Sequence, residues 1–162
     1  MKDRKLQNRL KNNIVWLSAL LLAACQSNTV YHSYQPAPLT GWNKSDTLIY
    51  TLPSTIPTGA YELEIGIRHQ EIYPYQNLWL GIAHNMKDSL TYTKDSLELI
   101  LADKDGNWKG VGPGGLYQYT QTFKKSVYID QEGNSRTFRI YHIMSDKPLK
   151  GVSDIGVKLT KK

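Results

Sequence analysis

The chain of 162 residues is short of several things at once. It has one cysteine, Cys25, so no disulfide can form within it and no cysteine cluster can hold a metal. Its longest uncharged apolar run is Ile14 to Ala24, eleven residues (IVWLSALLLAA). A membrane-spanning helix needs about 20, so this run is too short to stay as an anchor. A sustained helical stripe is also missing. The four histidines, His32, His69, His84 and His142, stand in no zincin spacing. No Gly-x-Ser-x-Gly elbow occurs, and the serines, histidines and aspartates define no triad by spacing.

What is present at the N-terminus has an order. Lys2, Arg4, Lys5, Arg9 and Lys11 face a single acid, Asp3, ahead of the apolar run. A basic flank, an apolar core and small residues at its end make a secretory signal over 1–24. Leu22-Ala23-Ala24-Cys25 resembles the lipobox of bacterial lipoproteins. That resemblance implies cleavage before Cys25, a diacylglycerol on its thiol and an acyl group on its new amine. No other cofactor is expected. One acyl chain holds a protein only marginally, whereas two or three hold it stably. Removing the signal takes away five basic residues and one acid. The mature chain keeps 15 basic and 13 acidic residues, a net +2 rather than +6. This excludes the concentrated basic face of a nucleic-acid binder. Polar Gln26 to Leu39, with two prolines, reads as a tether, giving a lipidated linker over 25–41 and one domain over 42–162.

After Trp42 the apolar period is two. Tyr61, Leu63, Ile65 and Ile67 alternate with Glu62, Glu64, Gly66 and Arg68, which predicts a strand with one dry face. Phe138, Ile140 and His142 alternate less cleanly, which predicts partial cover on both faces. Further strands are expected at Thr47 to Leu52, Leu78 to His84, Ser96 to Leu101, Leu116 to Thr122, Ser126 to Ile129 and Gly156 to Thr160. Asp103 to Asn107 and Glu132 to Ser135 carry tight-turn chemistry. About eight short strands point to an all-β, single β-sandwich of immunoglobulin-like or jelly-roll kind.

Several chemical motifs are imitated and none is completed. Asp103, Asp105 and Asn107 begin like an EF-hand, but the later glutamate is missing and the glycine comes two positions early. Gly110 to Gly115 is glycine-rich without the Lys-Ser/Thr of a phosphate loop. Glu62 and Glu64 share the polar side of one strand, an ordinary surface pattern, and Glu71 lies beyond it. These gaps argue against an enzyme and against a metal site.

Two stretches stand out. Arg68 to Trp79 concentrates Tyr73, Pro74, Tyr75, Asn77 and Trp79 beside a strand, and Gly106 to Gly112 sets Trp108 among glycines. Arginine and aromatics are enriched at binding hot spots, so Arg68, Tyr73, Tyr75, Asn77 and Trp108 form the candidate interaction surface. Plain packing competes with that reading, with Trp79 facing the core and Tyr73 and Tyr75 covering its rim. A second alternative is a periplasmic or surface glycan-binding module, with Tyr73, Tyr75 or Trp108 as stacking platforms.

The same stretches resemble the GldH family of gliding-motility-associated lipoproteins of the Bacteroidota. The likeness rests on Val30-Tyr31, Trp42, Ile67-Arg68, Tyr73 to Leu80 (YPYQNLWL), Asp105 to Gly112 (DGNWKGVG), Met144 and Leu149 to Gly156 (LKGVSDIG), besides the lipobox at Cys25. The resemblance implies a non-enzymatic part in the envelope machinery for gliding and type IX secretion. Its implied partners are other envelope lipoproteins and membrane components, with no nucleic acid. Members occur in species that do not glide, so motility does not follow. Gln26 is not the aspartate that resembles an inner-membrane retention signal, and Gln26 to Thr29 lacks the acidic run that resembles a surface-export signal. An outer-membrane anchor with a periplasm-facing domain is therefore expected.

Overall fold

The computed structural model describes residues 28–38, 40–88, 90–130 and 135–162. The signal segment, Cys25 and the turn residues Glu132, Gly133 and Asn134 lie outside the described residues. The described chain forms eight strands: β1 (Thr29–Pro36), β2 (Leu48–Leu52), β3 (Gly59–Gln70), β4 (Asn77–Asp88), β5 (Thr91–Ile100), β6 (Leu116–Ile129), β7 (Arg136–His142) and β8 (Val152–Lys161). Two four-stranded sheets, ordered β1-β8-β3-β6 and β2-β7-β4-β5, are antiparallel throughout and make the expected all-β sandwich.

Alternation builds the core. On β3, Tyr61, Leu63, Ile65 and Ile67 are fully buried. On β7, Phe138, Ile140 and His142 do the same for the other sheet. Leu78, Leu80 and Ile82 of β4 and Ile155, Val157 and Leu159 of β8 complete the facing layers. Tyr50 of β2 crosses between the sheets, and its hydroxyl donates to the Ile155 carbonyl at 2.6 Å. Outside, aromatic rings replace missing side chains. Tyr34 lies over the paired glycines Gly66 and Gly156, and Tyr141 lies over Gly81. On the outer side of β7, Thr137 and Tyr141 are half-buried and Arg139 is exposed, so that face is covered only in part.

Three expectations need correcting. Gln26 to Leu39 is not a free tether, because Thr29–Pro36 is β1, paired in register with β8 from Thr29↔Thr160 to Pro36↔Asp154. Its side chains are polar or half-buried, so the strand is held through its backbone ladder and leaves no apolar signature. Leu116 to Thr122 and Ser126 to Ile129 are not two strands but one, β6. The charged Lys124-Lys125 step reads as a break in sequence. In the structure it lies where the register of β6 shifts against β3, and Lys124 reaches across to Asp95 of β5 at 2.9 Å. Trp79 does not face the core but is 39% exposed. Leu78 and Leu80 take the inward positions, and a period of two sends the residue between them outward.

Each long side of the sandwich is closed by a glutamine. Gln35 of β1 donates from Nε2 to the Ile49 carbonyl of β2 at 2.6 Å. On the opposite side, Gln121 of β6 donates to the Glu98 carbonyl of β5 at 2.9 Å. The two ends of the sandwich also differ. The near pole holds Asn28, the β2–β3 loop, the β4–β5 turn, Asp130 and the end of β8. The far pole gathers the loops 37–47, 71–76, 101–115 and 143–151. With about 3.3 Å of rise per residue, the twelve residues of β3 set the poles about 40 Å apart.

Tyr50→Phe removes the buried bond between sheets while keeping the ring. The expected loss is about 1–2 kcal/mol. In urea unfolding this lowers the midpoint and leaves the slope unchanged.

Candidate functional site

The two unusual stretches meet at the far pole. β3 ends at Gln70, whose amide donates to the Gly151 carbonyl at 2.7 Å, and the chain turns so that the Tyr73 amide donates to the Gln70 carbonyl at 3.0 Å. Gly151 is required at this crossing. Its φ is +83°, and a Cβ there would lie 2.7 Å from Tyr73 Cα. The Asp103–Asn107 segment closes as the predicted tight turn, with Gly106 at φ +87°. Asp103 Oδ1 accepts the amides of Asp105 and Asn107, both at 2.9 Å, and Oδ2 accepts the Asn107 side-chain amide at 3.0 Å. The Asn107 contacts lead in holding the Asp103 carboxyl below the usual carboxylate range. The resemblance to an EF-hand start is thus a turn-capping arrangement.

His69 stands at the centre. The Ile65, Ile67, His69 alternation carries it inward, where it is fully buried. Trp108 meets it edge-on at 4.5 Å, Tyr117 stacks at 5.5 Å and Tyr73 tilts against it at 5.7 Å. Nδ1 lies 3.2 Å from the Gln70 carbonyl, and Nε2 has no partner among the described residues. Sequence reading placed His69 only among histidines without metal spacing. The signal that could have found it was its phase on β3.

The predicted surface residues fare differently. Tyr73 is 3% exposed, and its hydroxyl donates to the Asn77 carbonyl at 2.8 Å. Burial pushes that hydroxyl's pKa well up. Tyr73 therefore belongs to the core rather than its rim, and its ring cannot serve as a glycan platform. Tyr75 is half-buried at the rim, and its hydroxyl donates to Asp146 Oδ1 at 2.6 Å. Asn77 donates from Nδ2 to Glu98 Oε1 at 2.6 Å. Trp108 is half-buried against His69, Tyr73 and Tyr117. Arg68 points to the other side of its sheet. Its Nε donates to Gln118 Oε1 at 2.9 Å, and its guanidinium lies 4.2 Å from the centre of the Tyr34 ring. The structure thus joins Tyr73, Tyr75, Asn77 and Trp108 around one loop cluster and sets Arg68 at its flank. Exposed Trp79 lies on the outer face of β4, with its amide donating to Met144 Sδ at 3.3 Å.

Of the carboxylates considered for hydrolysis, Glu71 is exposed, and Glu62 and Glu64 are in surface pairs. Glu62 accepts from the Thr122 hydroxyl at 3.0 Å, and Glu64 lies 2.9 Å from Lys158 Nζ. Among the described residues, no group of three or more His, Cys, Asp or Glu side chains is placed to hold a metal ion. No helix among them is long and apolar enough to cross a membrane.

Residues 29–159 match the family described as GldH lipoprotein. The chain is 26% identical over 159 residues to the Gliding motility lipoprotein GldH of Flavobacterium johnsoniae, covering 95% of this chain and 99% of that protein. It is also 26% identical over 149 residues to the Gliding motility lipoprotein GldH homolog of Christiangramia forsetii, covering 88% and 90%. Among solved structures, the VP2 subviral particle of infectious bursal disease virus aligns at 9% identity and a TM-score of 0.28. That alignment spans 82% of this chain and about a third (32%) of the viral one, a likeness too low to carry an argument.

Burial holds the pKa of His69 below its ordinary value, and burial acts on His142 in the same sense. Below about pH 6.5 the unfolded chain takes up protons that the folded chain refuses. Stability is therefore complete above that pH and falls as pH drops toward the folded-state values. Unfolding free energies measured from about pH 7.5 to 5.5 should decline, with a shallower decline in His69→Phe. Equal slopes for the two proteins would remove His69 from the account.

Proposed function

The chain belongs to the GldH lipoprotein family, and on that premise we propose that it is a non-enzymatic component of the gliding-motility and type IX secretion machinery. In this reading Cys25 carries diacylglycerol and an N-acyl chain after the 1–24 signal is cut. The domain hangs from the outer membrane on its periplasmic side. It acts by contact with other envelope lipoproteins and membrane components.

The observation that carries the proposal is the family match over 29–159, with both relatives covered almost end to end. The far pole supports the contact role. Its loops pack on buried Tyr73 and His69 with half-buried Trp108 against them, so Tyr75, Asn77 and the open part of Trp108 are presented on a packed base. Preorganised aromatic and amide groups lose little freedom on association.

The test uses the full lipoprotein extracted gently with its anchor. Pull-down and mass spectrometry should recover envelope lipoproteins or membrane proteins, and Tyr75→Ala with Asn77→Ala should reduce that recovery while the fold persists. Recovery of no envelope partner would overturn the contact role. In the same system Cys25→Ser should lose all acyl mass. A Cys25→Ser protein that still incorporates labelled fatty acid would refute the lipidation site.

A further inference from the structure

We propose that the near pole of the sandwich rests against the phospholipid headgroups, so that the body is docked on the bilayer by its own residues as well as by its acyl chains. This rests on the reading of Cys25 as the lipidated residue. Asn28 is already part of the folded body, since its carbonyl accepts the Lys161 amide at 2.8 Å, and β1 begins at the next residue. Only three peptide steps separate Asn28 from Cys25, a reach of at most about 11 Å fully extended. The headgroup layer on each side of the hydrocarbon is itself about 5–7 Å deep. A chain that short gives the body no room to stand away from the lipid. The far pole, about 40 Å off along β3, is correspondingly held clear.

The side chains at the near pole suit such contact. Tyr128, directly across from Ala60, is 64% exposed, and Leu90 in the β4–β5 turn is 89% exposed. Lys161 ends the strand that holds Asn28, Lys162 follows it, and both are exposed. Tyrosine and lysine are the residue types that settle at a membrane interface, with the ring at headgroup depth and the ammonium among anionic phosphates. The acid beside them, Asp130, is compensated by Arg136 at 3.2 Å. The loops of the far pole carry as many acids as lysines, five of each, and so have no such basic excess.

A lipidated Cys25 has no free thiol, so one introduced cysteine can be labelled alone. The full lipoprotein would carry Tyr128→Cys or Lys104→Cys, each bearing an environment-sensitive fluorophore. It would be placed in vesicles of phosphatidylethanolamine and phosphatidylglycerol containing headgroup spin-labelled lipid. Quenching should be several-fold stronger at 128 than at 104. Inserting a Gly-Ser linker of about ten residues before Asn28 should weaken it. Equal or reversed quenching, in protein that floats with the vesicles and carries acyl mass, overturns the orientation alone. Protein without acyl mass that does not float overturns the anchor reading, and this proposal with it.

Discussion

Burial of two sheet surfaces against each other is the constraint from which the rest follows. Each strand must send alternate side chains inward, and those positions hold Tyr, Leu, Ile, Val and Phe with almost no exposed area. Polar groups caught in that layer need partners. Tyr50 finds the Ile155 carbonyl, and Arg136, almost fully buried, finds Asp130 and the Met86 carbonyl at 3.2 Å. Because the middle is committed to packing, anything that must vary or bind is displaced to the outer faces and to the two poles.

Alternation was legible wherever apolar residues report it. β3 and β7 follow from Tyr61, Leu63, Ile65, Ile67, Phe138 and Ile140 alone. β1 was not legible, because an edge strand held by backbone pairing needs no apolar stripe, and TVYHSYQP has none. The span of β6 was hidden for a similar reason. Its middle, from Gln121 to Lys125, points its charge at Asp95 and at solvent while the backbone ladder continues. Trp79 shows the reverse error, where bulk suggested burial and phase dictated exposure. The candidate surface was half legible. Composition drew attention to Tyr73, Tyr75 and Trp108, but only the folded chain shows that Tyr73 is support and that His69 is the hub.

The poles give the molecule a direction. Family membership makes it an envelope lipoprotein, and the proposed anchor enters at Asn28. The loops that resembled the family in sequence, around Tyr75, Asn107-Trp108 and Leu149 to Gly151, stand at the opposite end. β3 and β8 run the full height between the two and share Ile65↔Val157 near their middle. Under the proposed docking, a sheet of that length holds the loop cluster beyond the crowded headgroup zone.

The glutamines along the two flanks have a consequence for how such a body meets other chains. Gln35 and Gln121 each occupy a main-chain oxygen on the rim strand of the opposing layer. An extended polypeptide arriving there finds that acceptor already taken, and a side chain lying across its path. Growth of the sheets by borrowing a foreign segment is thereby discouraged. A companion must instead recognise shape and side-chain chemistry, which ties its identity to the loops rather than to a generic backbone.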